Sequence, residues 1–107
     1  MRQNTLQKGV VRIIIFKEGR QWFGVALELN IVESGGNPQE TMLLLDEAIR
    51  GYLKSARKAG LDVSVLNQEP DQEYEMLWRL LEKGKPVPSP YKVYSFGEQI
   101  LNHAARS

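Results

Sequence analysis

Residues 10–17, VVRIIIFK, constrain the fold more than any other stretch of the chain. Apolar residues stand there side by side, so no alternation assigns one face to water. The run is too short for a buried helix and is dense in β-branched side chains, which pack well on a pleated surface. It therefore predicts a strand covered on both faces and central in a sheet.

The segments around it complete a three-stranded antiparallel meander. Gly19, in the turn formed by Glu18, Gly19 and Arg20, is free to take positive φ. Residues 21–29 then alternate, with Phe23, Val25, Leu27 and Leu29 on one face and Trp22, Gly24, Ala26 and Glu28 on the other. A short third strand at 31–34 ends at Gly35 and Gly36.

A packing helix follows, and its start is written locally. Asn37 is an N-cap, Pro38 suits the first helical position, and Glu40 completes a capping box. Met42, Leu45, Ile49, Tyr52, Leu53 and Ala56 recur at helical spacing and form one apolar stripe, and Gly60 is the stop. Leu43 and Leu44 fall partly off that stripe and either widen the core contact or belong to a subunit interface.

Downstream, residues 61–66 (LDVSVL) alternate like a further strand. Asp71 can cap a second helix whose inward residues are Tyr74, Leu77, Trp78 and Leu81, with Gly84 as its stop. The prolines at 86, 88 and 90 make an extended linker. After it, 93–96 reads as an edge strand and 98–105 as a weakly amphipathic tail. The expected class is α+β with the order β-β-β-α-β, plus a second helix and an extended C-terminal tail. All of it belongs to one domain over 1–107, divided into a core at 9–66, a helix at 70–84, and a linker and tail at 85–107.

Composition narrows the functions. The apolar and charged fractions, 42% and 25%, are those of an ordinary globular domain. No apolar run is long enough to span a bilayer, the first eight residues lack the apolar middle of a signal peptide, and there is no cysteine. The expected location is the cytoplasm, with no membrane partner. Net charge is +1, from 14 basic and 13 acidic residues that are interspersed. The nearest basic cluster, Lys54, Arg57 and Lys58, sits where the first helix ends, and the helix dipole alone favours cations there.

The stretch 23–53, FGVALELNIVESGGNPQETMLLLDEAIRGYL, resembles the core signature of the HicB-like antitoxin family. The features that carry the resemblance are Glu28-Leu29, Ile31-Val32, Gly35-Gly36-Asn37, Pro38-Gln39-Glu40, Glu47-Ala48-Ile49 and Tyr52-Leu53, in that order. The likeness covers about the first 60 residues. It implies a β-β-β-α-β arrangement, described as a partial ribonuclease H-like fold. It also implies binding to a small HicA-type messenger-RNA-cleaving toxin, whose active site the antitoxin covers. Many members of the family add a helix-turn-helix or ribbon-helix-helix module that binds operator DNA. Neither pattern stands after Gly60, so DNA binding is not expected of this chain.

The chemistry for catalysis is sparse. Two-metal nuclease chemistry needs converging carboxylates, and residues 10–17 contain none. Glu28, Asp46 and Glu47 are the nearest candidates, but Asp46 and Glu47 are consecutive on a helix and point about 100° apart. His103, the one histidine, has no titratable neighbour in the tail. No phosphate loop, nucleophile elbow or metal-ligand spacing is present, and Gly35-Gly36 reads as a tight strand-to-helix turn. A non-enzymatic module without cofactor or metal is expected. Its candidate contact residues, for a partner or for its own oligomer, are Trp22, Leu43, Leu44, Val93, Tyr94 and Phe96. Trp22 is either under a second layer or an exposed anchor. Two readings follow: an antitoxin-type module that occludes a small toxin, or an orphan domain of structural or regulatory role that self-associates as a dimer or larger oligomer.

Overall fold

A computed structural model of the chain describes residues 4, 5 and 8–102. β1 (Lys8–Glu18) and β2 (Gln21–Ala26) form a hairpin whose turn uses Gly19 at φ 65°. β3 (Ile31–Gly35) pairs antiparallel with β2. Next come α1 (Pro38–Ala59) and α2 (Gln72–Glu82), and β4 (Lys92–Asn102) then returns antiparallel to β1. The sheet order is β3-β2-β1-β4, so β1 is interior. The class is α+β, a four-stranded antiparallel sheet with two helices.

β1 is covered on both faces, as its composition predicts. Val11, Ile13 and Ile15 pack with Leu45, Ile49 and Leu53 of α1. Ile14 and Phe16 pack instead with Leu77 and Trp78 of α2. Val11, Ile14, Ile15 and Phe16 are all at most 1% exposed. Each such side chain contributes about 1.5–3 kcal/mol by leaving water. The helices therefore lie on opposite faces of one sheet.

Both helices begin as their sequences predict. Asn37 Oδ1 accepts from the Glu40 amide at 2.8 Å, and the Glu40 carboxylate accepts from the Gly36 amide at 2.7 Å. Asp71 caps α2 by accepting from the Glu73 amide at 2.9 Å. One position on α1 differs from expectation. Met42 is 47% exposed, and Thr41 is fully buried in its place. Here α1 lies close against the sheet. A Cβ on Gly35 would come within 2.6 Å of Thr41 Oγ1, and one on Gly24 within 3.1 Å of Thr41 Cγ2. A compact side chain that hydrogen-bonds its own helix, through Asn37 O at 2.8 Å, fits where methionine does not.

Three other expectations are corrected. First, 61–66 is no strand: Val63–Leu66 is a 3-10 turn, capped by Asp62, whose carboxylate accepts from the Ser64 amide at 2.8 Å. Leu66 plugs the α1-side core, and the expected strand after α1 is supplied much later by β4. Second, β2 stops at Ala26. Leu27–Leu29 winds into a 3-10 turn closed by left-handed Asn30 at φ 52°, a conformation asparagine tolerates. That turn sends Leu29 to the α1 side while Leu27 stays on the α2 side. Third, residues 98–102 extend β4, with Leu101 buried in the α1-side core, whereas 103–105 and His103 lie outside the described residues.

Replacing Gly35 by alanine is expected to cost about 1–3 kcal/mol, because the Thr41 backbone as well as its side chain stands in the way. Gly51 is exposed in the middle of α1 with nothing within 4 Å of its would-be Cβ. Gly51→Ala should instead stabilise by about 0.5–1 kcal/mol. Urea unfolding of the two variants checks the packing, and equal effects would contradict it.

Candidate functional site

The candidate contact residues separate once folded. Trp22 is half-buried against the α1-side core, edge-on to the Tyr94 ring at 5.8 Å, with Lys17 Nζ 5.7 Å from its ring centre. Of the two placements weighed for it, the packing is nearer the covered one, with part of the ring still exposed. Val93 is half-buried and packs against the opposite, α2-side core. Leu43 is 59% exposed on α1, whereas its neighbour Leu44 is half-buried. Tyr94 and Phe96 are both about half exposed, and Phe96 rests edge-on against Trp78 at 5.7 Å. Trp78 itself is core.

The three carboxylates weighed for metal chemistry do not converge. Asp46 faces β4, pairing with Arg50 at 2.8 Å and accepting from Gln99 Nε2 at 3.2 Å. Glu47 is exposed on α1. Glu28 is held by Arg12, together with Glu75 of α2. Among the described residues no group of three or more His, Cys, Asp or Glu is placed to hold a metal ion.

Arg12 is the polar centre that sequence reasoning missed. The β1–β2 ladder ends at Ile13 and Ala26, where β2 turns away. Glu28 occupies the gap: one oxygen accepts from the Arg12 backbone amide at 2.9 Å, and the other accepts from the guanidinium. The two terminal nitrogens of Arg12 donate to the two oxygens of Glu75, each at 2.8 Å. The guanidinium also lies 5.5 Å from the Trp78 ring centre. The two-pronged bond to Glu75, reinforced by Glu28, holds Arg12 firmly cationic against the opposing effect of burial. The available clue was a cation inside a strand covered on both faces, which must find partners.

An open cleft of about 420 Å³ lies on the α2 side, between β2, β3 and the start of α2. Val25, Leu27 and Val32 form apolar lining, and Glu69, Asp71 and Tyr74 contribute polar groups. Val32 is 44% exposed there. Asn30 holds one wall by donating to Glu69 O and Gln68 Oε1, both at 3.2 Å. Burial, then the charges of Glu73, Asp71 and Glu18, raises the Tyr74 phenol above its ordinary value. The cleft thus presents the exposed side of Val32, over the buried Val25 and Leu27, beside two carboxylates and a phenol.

Hydrogen bonding from Arg12 lowers the Glu75 carboxyl below its ordinary 4.5, outweighing burial. Because the folded value lies below the unfolded one, the stabilisation is complete above about pH 4.5 and is lost as pH falls through the folded value. The urea midpoint should therefore drop as the pH falls below about 4.5 in the parent protein, and drop less in Glu75→Gln. Parallel pH profiles would show that the pair carries no such linkage.

A scan against protein-family models, a search of curated proteins and a search of solved structures return no match for this chain.

Proposed function

We propose that this protein is a binding module of antitoxin type, which inhibits a small messenger-RNA-cleaving toxin by covering its active site. The observation that carries the reading is the acidic-edged cleft between β3 and α2, with Val32 exposed in its wall. A nuclease that grips RNA needs a cationic surface to neutralise phosphates. A protein that occludes such a surface complements it with carboxylates and excludes water with apolar contact. Val32, Glu69 and Asp71 supply both kinds of group beside a short free sheet edge, β3.

Support also comes from the resemblance over the first 60 residues to HicB-like proteins. That resemblance implies the order β-β-β-α-β; the meander and the capped helix stand in that order, whereas the last strand is β4, which follows α2. The described ionisable groups with close partners serve the fold: Arg12, Glu28 and Glu75 join β1 to α2, and Asp46 joins α1 to β4. Recognition by shape and charge asks nothing more of them.

The test is co-expression of the tagged protein with the gene beside its own, followed by the mass of what elutes. A stoichiometric complex with a small basic protein, whose RNA cleavage is suppressed, is the expected result. In that complex Val32→Arg combined with Glu69→Lys should weaken binding at least about tenfold without lowering the melting temperature. The reading is overturned if a well-expressed neighbour neither binds nor loses its activity.

A further inference from the structure

Among the described residues, the outer edge of β4 pairs with no other strand. β4 runs eleven residues, Lys92–Asn102, at one end of the strand order, whereas β3 at the other end has five. A long exposed edge is a template for another strand, and proteins usually blunt it with charge, proline or a bulge. β4 has no proline, and it carries one lysine and one glutamate. Its single irregularity against β1, between the partners of Ile15 and Phe16, sits toward its start.

Apolar side chains flank the edge on both faces of the sheet. Phe96 is 47% exposed, and Ile100, on the same face, is 76% exposed. On the α1 face Tyr94 is 52% exposed and meets Gln39 Nε2 at 3.3 Å. Gln39 and Asp46 both reach β4, and Met42 and Leu43, which lie between them at helical spacing, are 47% and 59% exposed.

Gly97, like Gly51, is a glycine that neither its backbone conformation nor packing within the chain requires, but Gly97 stands in an edge strand. Its φ is not among the positive ones, and a Cβ built on it would meet nothing within 4 Å. A glycine inside a strand weakens it, and it often marks the close approach of another backbone. Gly97 is also the midpoint of β4. An antiparallel copy of β4 paired with Gly97 opposite Gly97 overlaps along the full strand, about 35 Å of ladder.

We infer that β4 is a homodimer interface, in which two copies pair antiparallel about a two-fold axis at Gly97 and join their sheets into one of eight strands. In this register Phe96 stands diagonal to Ile100 of the other copy, within reach of a large side chain. Lys92 is in register with Asn102 and Glu98 with Phe96, so no like charges stand directly opposite; the two Glu98 residues are diagonal, about 7–8 Å apart at the rim. The strand's own charge sums to zero, which lets two identical edges approach. The cleft beside β3 stays open, so this inference stands or falls independently of the toxin-binding reading.

The chain has no cysteine, so a single introduced one reports without background. The parent protein alone is expected to sediment at twice its 12.2 kDa chain mass. Ile100→Asp, at a position too exposed to disturb the fold, should return it to the monomer mass. Gly97→Cys should form an intersubunit disulfide under mild oxidation, since paired strands hold opposite Cα atoms about 4.5–5.5 Å apart, within disulfide reach. Lys58→Cys, on the exposed end of α1, should cross-link far more slowly. A monomeric parent, or a dimer indifferent to Ile100→Asp, overturns the interface. Loss of the dimer in Ile100→Asp without cross-linking at 97 overturns the register.

Discussion

β1 has no solvent face, and the rest of the fold follows from covering it twice. A single helix on a four-stranded sheet would leave Ile14 and Phe16 in water, a cost of about 1.5–3 kcal/mol for each. The chain solves this by sending α1 across one side and α2 across the other, before β4 closes on the open flank of β1. Arg12 makes the second layer specific. Its guanidinium stands in the same strand, at 20% side-chain exposure, and Glu28 and Glu75 both answer it. Such a cluster adds little net stability over an apolar replacement, and losing one carboxylate leaves Arg12 with the other, at a cost below the about 3–5 kcal/mol of a fully buried pair. Its worth lies in placement: α2 is seated where Glu75 reaches Arg12, and β2 is turned where Glu28 does.

What could be read from the chain in advance divides by sequence distance. The caps of α1 and α2 are local chemistry, within three residues, and they stand as read. The two-sided burial of β1 was likewise written in its own composition. The segment 61–66 misleads because alternating apolar residues suit a strand and a 3-10 turn alike, and the Asp62 cap decides for the turn. β4 was foreseen only at 93–96, since its remaining length depends on a partner strand some ninety residues earlier. The partners of Arg12 lie 16 and 63 residues away, beyond any local pattern.

The candidate contact residues show the same division. Tyr94, Phe96 and Leu43 are exposed as a contact surface requires. Val93 is turned inward because it pairs with Phe16 on the α2 face. Ile100, the most exposed large apolar side chain among the described residues, lies in 98–105, which reads from sequence as a weakly amphipathic tail and not as part of a strand. A side chain's face in a strand follows register, and one shifted residue near Tyr94 changes which neighbours look outward.

A sheet with a helix on each face has few places left for recognition: its two edges and the gaps at the helix ends. The edges here are unequal. β3 is short and borders a cleft whose carboxylates suit a cationic partner of different sequence. β4 is long, nearly uncharged and centred on a glycine, which suits an identical strand. Self-pairing at β4 would also remove the edge most open to uncontrolled strand addition, at no cost to the cleft. The inward charges hold the layers in place, while the surface keeps backbone edges, apolar side chains and charges of both signs, exposed Arg20, Lys54, Lys58, Lys83 and Lys85 among them. The burden of specificity then falls on shape at the cleft and on register at the edge.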